Sequence, residues 1–479
     1  MRLYPIDGHV NVSSLRAFLL TSSNPELLLK LDRNGPASLS QQLQMQLRNA
    51  IRRGSLRAGV QLPSTRSLAE DLSVSRPVVV DAYDQLAAEG YLRTQPGARP
   101  IVADVAGLAR SPRQKPSEQE APIHHDLRPA IPDLSMFPRK AWLKALKRTI
   151  EEMPAVAFGY DGRHGTLELR KVLADYLGRV RGVIADVERI VVTSGFAEAR
   201  ALACSALKSA GAVRLGVEDP SYGAWHSVDQ AGLLRIPVAV DGEGLIVDQL
   251  DGLGVQAVFV TPAHQFPTGV VLGKNRRRRL IDWLGTNDAF AFEDDYDAEY
   301  RYDQSPIGAL QGLAPERVIY AGTVSKTLAP CLRLGWLLVP ASLIDAVKAE
   351  QLRWNEGSPR IDQNALAAFI KAGDYDRHLR SMRRIYRARR DVLMQAIGEY
   401  LPEAEPKGIA AGLHVTLHLP RRVDEAKLCR TVAKRGVAIE GMTKYRLSRA
   451  GPPALLLGYG RATEASLLSA VRILAEAIG

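Results

Sequence analysis

The sequence predicts a two-part protein, in which a small and mostly helical N-terminal unit precedes a large α/β domain with a mainly parallel sheet. Near the N-terminus, leucines recur at helical spacing, at Leu39, Leu43 and Leu47. Further along, short apolar runs alternate with helical patterns, as in a sheet that helices cover on both faces. These runs are residues 189–193, 213–217, 234–240, 257–261, 289–292, 317–321 and 334–339.

The composition is that of an ordinary globular protein, with 46% hydrophobic and 24% charged residues among 479. No apolar run reaches the roughly 18 residues that indicate a membrane span, and Asp7 and His9 fall where a signal peptide would be apolar. The three cysteines lie far apart and fit neither a disulfide framework nor a metal cluster, so we expect a cytoplasmic protein without a metal site. The net charge of +11 permits a polyanionic partner.

The N-terminal unit has the order of elements of a winged helix-turn-helix. After an arm at residues 1–35, one helix begins near Leu39, and Ser64 is placed to cap a second helix. Ser75 is placed to cap a third helix, with Pro77 in the first turn, where proline is tolerated. A hairpin follows and completes the pattern.

Double-stranded DNA is the expected partner of this unit, which spans residues 36–103. In a winged helix-turn-helix, the third helix enters the major groove with its first residues against base edges, and arginines reach phosphates or bases. The alternative is a small helical unit that docks onto another protein. The candidate DNA-contacting residues, including the tip of the hairpin at Gly97, are Arg66, Ser75, Arg76, Arg93, Gly97 and Arg99.

Residues 104–125 have the composition of a flexible linker, polar and proline-bearing without periodicity. The pair His124-His125 is expected to be solvated, because no third metal ligand is spaced nearby. The α/β domain then spans residues 126–479, with a smaller subdomain from about 385 to 479. We interpret the strongly basic stretch 376–390 as a solvated helix, and a second DNA-facing surface is the alternative.

A lysine stands in the turn between the last two apolar runs. An ammonium is costly to bury, so Lys326 should have a lowered pKa and act as a neutral amine, the form that makes a Schiff base with an aldehyde. Thr323, Ser325 and Arg333 stand close by in the sequence and are suited to hold a phosphate. An aldehyde together with a phosphate is what pyridoxal phosphate (PLP) offers. The alternative for the lysine alone is a surface position in a turn.

Polar groups also follow two other apolar runs, at the strand ends where ligands of α/β sheets bind. A carboxylate of the run Glu293-Asp294-Asp295-Tyr296-Asp297 is suited to pair with a protonated pyridine nitrogen, and Tyr296 to donate to the ring oxygen. The turn Ser194-Gly195-Phe196 links the first run to a helix, and free backbone N–H groups at a helix start bind phosphate. The alternative for the acidic stretch is a solvated loop.

These motifs resemble the fold-type-I aminotransferases. The stretches EDDYDAEYR from Glu293 and GTVSKTLAPCLRLGW from Gly322 are similar, more specifically, to the MocR (GabR-like) subfamily of GntR-family regulators. The stretch LPSTRSLAEDLSVSRPVVVDAYDQLAAEGYL from Leu62 resembles the DNA-binding unit of that family. The resemblance covers nearly the whole chain. It implies a winged helix-turn-helix fused to a fold-type-I, PLP-dependent aminotransferase domain, and a head-to-tail homodimer.

The resemblance also implies roles for residues outside these motifs. Tyr222 matches the aromatic residue that stacks on the pyridine ring, and Tyr160 matches the tyrosine that reaches the cofactor phosphate of the other subunit. Aminotransferases have an asparagine before Pro-Thr-Gly that bonds the ring oxygen. This chain has Phe266 there, and either His264 or Gln265 is expected to take over.

Two positions depart from the amino-acid aminotransferases. Leu456 stands where the resemblance places an arginine that clamps the substrate carboxylate, and Ala224 stands where GabR-like chains have a second arginine. The function implied is a PLP-dependent transcriptional regulator that senses PLP itself, or an amine without a carboxylate, through Lys326. The alternatives are an active aminotransferase that carries a DNA-binding unit, and an inert aminotransferase fold that serves only for dimerisation.

Overall fold

A computed structural model of the chain describes two stretches, each with short gaps: residues 29–104 without 34, 96 and 97, and residues 122–478 without 160–163, 224, 303–306, 355–357, 409 and 448–450. Most of the predicted arm and linker lie outside these ranges, and so do Gly97, Tyr160 and Ala224, whose roles stay predictions. The chain divides into two compact units, Met1–Gln119 and Glu120–Gly479.

The first unit has the predicted three helices and hairpin. Ser64 caps α2 by accepting from the N–H of Ser67. Ser75 precedes α3, but its hydroxyl makes no cap hydrogen bond, because Pro77 has no N–H and Val78 donates to the Ser75 carbonyl instead. The elements are α1 (Leu39–Arg52), α2 (Thr65–Asp71), α3 (Arg76–Ala88), β1 (Leu92–Arg93) and β2 (Ile101–Val102), the two strands being antiparallel. Their core contains Leu43, Leu47, Leu68, Val79, Tyr83 and Leu86.

The second unit is built on one large sheet, and each of the seven predicted apolar runs contributes a strand. Its strand order is β4-β11-β10-β9-β8-β5-β6-β7. The pairs from β10 to β6 are parallel, whereas β11 is antiparallel to both β10 and β4. After β3 (His125–Asp126), the strands are β4 (Ile190–Thr193), β5 (Arg214–Asp219), β6 (Leu234–Asp241), β7 (Gly244–Leu245), β8 (Ala257–Val260), β9 (Phe290–Asp295), β10 (Val318–Thr323) and β11 (Gly335–Leu338).

Helices cover both faces of this sheet, as predicted. Val192 of β4 belongs to the apolar cluster of Leu173 and Phe369, whereas its neighbour Val191 belongs to the cluster of Leu202 on the opposite face. In the described part of the chain, no helix has both the length and the apolar character that a membrane crossing requires. The helices are α4 (Arg139–Glu152), α5 (Leu167–Arg181), α6 (Phe196–Ser209), α7 (His226–Gln230), α8 (Lys274–Thr286), α9 (Ile344–Trp354), α10 (Arg360–Lys371), α11 (Asp374–Tyr400), α12 (Glu425–Lys434) and α13 (Glu464–Ile478).

A small antiparallel sheet forms the C-terminal subdomain, with α13 packed on α11. Its strand order is β12-β13-β16-β15, while β14 pairs with β3. The predicted start of the small subdomain, near residue 385, falls inside α11, which runs from Asp374 to Tyr400. His125, expected in the linker, is part of the folded unit, because β3 finds backbone partners in β14 and the His125 ring lies 2.9 Å from the Ser466 hydroxyl. The strands are β12 (Glu405–Lys407), β13 (His414–His418), β14 (Val437–Ala438), β15 (Glu440–Gly441) and β16 (Ala454–Gly458).

Candidate functional site

The carboxyl ends of β4, β9 and β10 meet at one edge of the large sheet. Asp294 at the end of β9 lies opposite Ala321 of β10. Thr323 at the end of β10 lies opposite Gly335 of β11, which in turn lies opposite Thr193 at the end of β4. The loops after these strands carry the predicted lysine, carboxylates and small-residue turn, so the fold brings these groups to one place.

Lys326 is partly buried in the turn after β10. Burial lowers the pKa of its amine, while the nearby carboxylates of Asp297 and Asp294 oppose this shift. Its Nζ donates to the backbone oxygen of Ala130 at 2.7 Å, and Ala130 has a φ of 56°. Lys326 forms no ion pair with a described residue, and its lowered pKa shifts the amine towards the neutral, nucleophilic form.

The two adjacent carboxylates at the end of β9 have different environments. Asp295 accepts from Arg181 at 2.7 and 3.2 Å and from the Tyr320 hydroxyl at 2.6 Å. Asp294 is 8% exposed, and its buried Oδ1 has no hydrogen-bond partner in the described structure. Burial and then the charge of Asp295 raise the pKa of Asp294 well above its usual range, and Arg200 opposes them. Such an oxygen fits a ligand that brings its own donor, for example a protonated ring nitrogen.

A concave backbone surface lies at the start of α6. Gly195 precedes the helix with φ 89° and ψ 179°, a conformation that is essentially restricted to glycine. A Cβ at this position would lie 3.3 Å from the guanidinium carbon of Arg333, so the arginine lies directly over the glycine. Within the described ranges, the N–H groups of Gly195 and Phe196 donate to no backbone or side-chain acceptor. Free N–H groups beside a guanidinium are suited to a phosphate.

Two neighbouring groups predicted for phosphate are engaged within the protein. The N–H of Ser194 donates to the carboxylate of Glu198 at 2.5 Å. Glu198 lies in the first turn of α6, and its side chain points back towards the start of the helix. The N–H of Ser194 is therefore not free for a phosphate, whereas its hydroxyl is not involved in this contact. Thr323 Oγ1 lies 3.0 Å from the Leu334 carbonyl oxygen and 2.9 Å from Ser325 Oγ, so it holds the turn that presents Ser325.

Tyr296 belongs to a buried hydrogen-bonded cluster. Nδ1 of His264 lies 3.0 Å from the Tyr296 hydroxyl and 3.0 Å from a carboxylate oxygen of Asp297. The His414 ring of β13 lies 5.2 Å from the His264 ring, and burial followed by His264 lowers the pKa of His414 to about 3. His264, Asp297 and His414 offer atoms within 4.8 Å of one another, a spacing that a metal ion could bridge. The hydrogen bond between His264 Nδ1 and the Asp297 carboxylate already explains why these two side chains lie close together.

Of the two predicted replacements for the missing asparagine, His264 has the better position. The Gln265 amide is engaged in its own turn, where Nε2 donates to the Pro220 carbonyl at 2.8 Å and Oε1 accepts from the N–H of Thr268 at 3.0 Å. His264 instead lies within hydrogen-bond distance of Tyr296, the residue predicted to contact the same ring oxygen.

An apolar cluster occupies the side of the site where amino-acid aminotransferases are expected to have a carboxylate clamp. Leu456 is fully buried there together with Phe266, Met442 and Tyr445. Tyr222 is 46% exposed, and its ring lies edge to face with Phe266 at 6.1 Å. The side chain of Leu456 carries no charge, so this position offers no partner to a ligand carboxylate, whereas an arginine there would.

Arg200 is a further residue of the site that the sequence analysis missed. It is 5% exposed, and its buried Nη1 lacks a hydrogen-bond partner in the described structure. Its guanidinium lies 5.6 Å from the Phe196 ring and 5.9 Å from the Tyr222 ring, and it lowers the pKa of Asp294. The available signal was an arginine four residues after Phe196 in an otherwise mostly apolar helix. The Ser358 hydroxyl, 3.4 Å from that of Ser194, gave no such signal.

In the first unit, the described candidate DNA-contacting residues are all exposed. Arg66 lies at the start of α2, and Ser75 and Arg76 at the start of α3. Arg76 Nε donates to the Thr65 hydroxyl at 3.4 Å, which links the two helix starts. The hairpin carries Arg93 and Arg99, both exposed. The Ser75 hydroxyl makes no cap hydrogen bond and is exposed, so it can contact an external partner.

Comparison with known proteins agrees with this architecture. Residues 39–102 match the family "Bacterial regulatory proteins, gntR family", and residues 131–464 match "Aminotransferase class I and II". The kynurenine aminotransferase of Pyrococcus horikoshii, whose crystal structure contains PMP, is similar with a TM-score of 0.68 and 26% identity. That similarity covers 75% of this chain and 91% of the other.

Curated regulators match over nearly the whole chain. The HTH-type pyridoxine biosynthesis transcriptional regulator PdxR of Corynebacterium glutamicum is 33% identical over 95% of this chain and 99% of its own. The probable rhizopine catabolism regulatory protein MocR of Rhizobium meliloti is 32% identical over 90% of this chain and 92% of its own. A DNA-binding helix-turn-helix and an aminotransferase-type domain in one chain, matched end to end by such regulators, show that this protein belongs to the MocR-type transcriptional regulators of the GntR family.

Proposed function

We propose that the DNA-binding activity of this regulator responds to PLP bound at Lys326, or to an amine that reacts there. The observation that carries the proposal is the combination of a partly buried lysine of lowered pKa with Asp294, a buried carboxylate whose Oδ1 has no donor among the described residues. An unpartnered buried carboxylate is costly for a protein, so its presence beside the lysine is best explained by a ligand that supplies the donor.

When bound, PLP supplies an aldehyde that reacts with primary amines and a ring that withdraws electrons. Lys326 Nζ would be the attachment point, Asp294 would hold the ring nitrogen, and Tyr296 with His264 would hold the ring oxygen. Tyr222 would cover the ring face.

The phosphate would lie at the start of α6, between that helix and the turn after β10. Gly195 and Phe196 would give backbone N–H groups, Arg333 would give its guanidinium, and Ser194 and Ser325 would give hydroxyls. Thr323 holds the turn. Tyr160 is proposed to add a phosphate contact from the partner subunit of a head-to-tail homodimer.

The effector is proposed to be PLP itself or an amine without a carboxylate. The fully buried Leu456 and its apolar neighbours would leave a ligand carboxylate unpaired, which costs about 1–3 kcal/mol or more. The name of the PdxR relative connects that protein with pyridoxine biosynthesis, and this supports PLP as the first candidate.

Regulation requires that the effector bind differently to two states of the protein. We propose that occupancy at Lys326 changes the closure of the small subdomain, which contacts the cluster of His264 and Tyr296 through His414. Two DNA-binding units of a cytoplasmic homodimer would then be rearranged on their operator.

The first test is the visible absorbance of the purified protein, before PLP is added and after PLP is added and the unbound excess is removed by gel filtration, beside that of a Lys326→Ala variant treated in the same way. A band in the parent protein and its absence from the variant are expected. The absence of any band from PLP-treated parent protein would refute the cofactor assignment.

The second test is operator affinity, measured by fluorescence anisotropy with and without PLP and with each of two amines, phenethylamine and phenylalanine. These differ only by the carboxylate. An affinity that responds to PLP or to phenethylamine supports the proposal, and an identical affinity under all conditions contradicts it. Multiple-turnover amino transfer from phenylalanine to a keto acid would favour the aminotransferase alternative.

A further inference from the structure

A second concave surface lies where the end of α5 and the start of α11 meet the segment that follows β9. The cavity has a volume of about 480 Å³, and none of the candidate cofactor residues lines it. Its lining is unusually rich in guanidinium groups and has only Glu299 and Asp376 as carboxylates. The arginines are Arg179, Arg181, Arg301, Arg380 and Arg383.

Two of these arginines are committed to carboxylates and form the wall. Arg181 is 3% exposed and bonded to Asp295 at 2.7 Å. Arg179 is paired with Asp376 at 2.9 Å. Because both pairs are already neutralised, they shape the cavity but do not give it a surplus of charge.

The surplus comes from α11. Arg380 and Arg383 lie one turn apart, and neither has an ion-pair partner among the described residues. Arg383 Nη2 donates to the backbone oxygen of Glu299 at 2.7 Å, which holds its guanidinium at the cavity. Burial and then Asp295 raise the pKa of Glu299 to about 7, so this carboxylate is only partly ionised at neutral pH and offsets little of the positive charge.

The remaining lining is apolar, with Tyr176, Val180, Ala298 and Leu379. A guanidinium pair above an apolar wall matches a molecule that has an anionic group and a carbon skeleton, and arginine forks fit phosphate oxygens in particular. The volume lies within the usual range of small-molecule sites. A DNA duplex presents a convex backbone and would not fill a cavity whose wall includes the almost completely buried Tyr176.

We propose that this cavity binds a small organic phosphate, at a site separate from Lys326. Phenyl phosphate serves as the probe because it combines the anionic group with an apolar ring. Binding is measured by isothermal titration calorimetry on the full-length protein after treatment with PLP, which fills the candidate cofactor phosphate site. The same titration without PLP tests the cavity independently of the cofactor assignment.

The variants Arg380→Gln and Arg383→Gln remove one guanidinium each, and Arg384→Gln changes an exposed arginine on the same helix that does not line the cavity. We expect saturable binding of one phenyl phosphate per chain, tighter than inorganic phosphate. Kd should rise about 10-fold in each cavity variant and stay unchanged in the Arg384 variant, since one charge-assisted hydrogen bond is lost. Circular dichroism melts check that all variants fold.

Absence of saturable binding in the parent protein, or equal affinity in all four proteins, would overturn the proposal. So would a loss of random-sequence duplex binding in the two cavity variants without any phenyl phosphate binding in the parent. That outcome would assign Arg380 and Arg383 to DNA instead.

Discussion

The substitution Asp294→Asn should have opposite effects on the stability of the cofactor-free protein and on its affinity for PLP. The change keeps the shape of the side chain and removes its charge. Because Oδ1 of Asp294 is buried without a partner among the described residues, the parent protein bears the cost of burying a polar or charged oxygen. Removing that charge should stabilise the cofactor-free variant by about 1–3 kcal/mol at neutral pH.

The pH dependence of this stabilisation has a defined sign. The folded protein holds the Asp294 proton more tightly than the unfolded chain, since burial raises the pKa well above the ordinary value of 3.8. As pH rises past 3.8, the unfolded chain releases the proton first, and the parent protein loses stability relative to the variant. The difference in unfolding free energy should therefore vanish below about pH 3.8 and grow towards neutrality.

With PLP the variant should be the weaker binder. An asparagine cannot form an ion pair with a protonated ring nitrogen, and loss of one partner of a buried charged pair costs about 2–5 kcal/mol. The Kd for PLP should then rise roughly 30- to 4000-fold.

Urea unfolding of the cofactor-free proteins between pH 3 and 8, together with absorbance titration by PLP, measures both effects. The contrast is Asp295→Asn, which should destabilise the protein by about 3–5 kcal/mol because Arg181 would lose its partner. An Asp294 variant that binds PLP as tightly as the parent would refute the pairing with the ring nitrogen. A loss of stability without PLP would refute the account of a costly carboxylate.

Three further outcomes are expected. Gly195→Ala should destabilise the cofactor-free protein by about 1–3 kcal/mol in urea unfolding. It should also weaken PLP binding in the absorbance titration, because the new methyl group would displace Arg333. Unchanged binding would show that the start of α6 is not part of the phosphate site. Arg76→Ala should weaken operator binding about 10-fold or more, as measured by fluorescence anisotropy. The control Arg57→Ala, at another exposed arginine, should not weaken it. Equal effects of the two variants would show that the DNA does not bind at the start of α3. His414→Gln should reduce the loss of unfolding free energy with falling pH. A buried neutral His414 with a pKa of about 3 makes the parent protein lose about 1.4 kcal/mol of stability per pH unit between pH 6.5 and 3. An unchanged slope of unfolding free energy against pH would contradict the lowered pKa of His414.

The order of elements could be predicted where the signal is local. Each apolar run became a strand, because a segment buried on both faces needs a continuous apolar sequence. The start of α3 was placed correctly from Ser75 and Pro77, although the hydroxyl of Ser75 proved free. Lys326 and Asp294 were placed by the general position of ligands at strand ends.

The remaining details depend on contacts between distant parts of the chain. The hydrogen bond from Lys326 to Ala130 joins residues 196 positions apart, and no periodicity announces it. The pairing of β11 with β4 and that of His125 with Val437 are also non-local. The choice of His264 over Gln265 followed only from the hydrogen bonds that the turn around Gln265 consumes.

The hydrogen bond from Lys326 to Ala130 makes the backbone carbonyl of Ala130 a competitor of any ligand for the lysine amine. A reaction that moves Nζ away from the Ala130 carbonyl has an apparent affinity that contains the cost of breaking this 2.7 Å hydrogen bond. By reciprocity, whatever draws Ala130 away from the lysine makes the amine more available by the same free energy. Ala130 follows β3 near the start of the second unit, at Glu120, and holds a φ of 56° that alanine rarely adopts. Chemistry at the sheet edge and the conformation of the chain as it enters this unit therefore share one equilibrium.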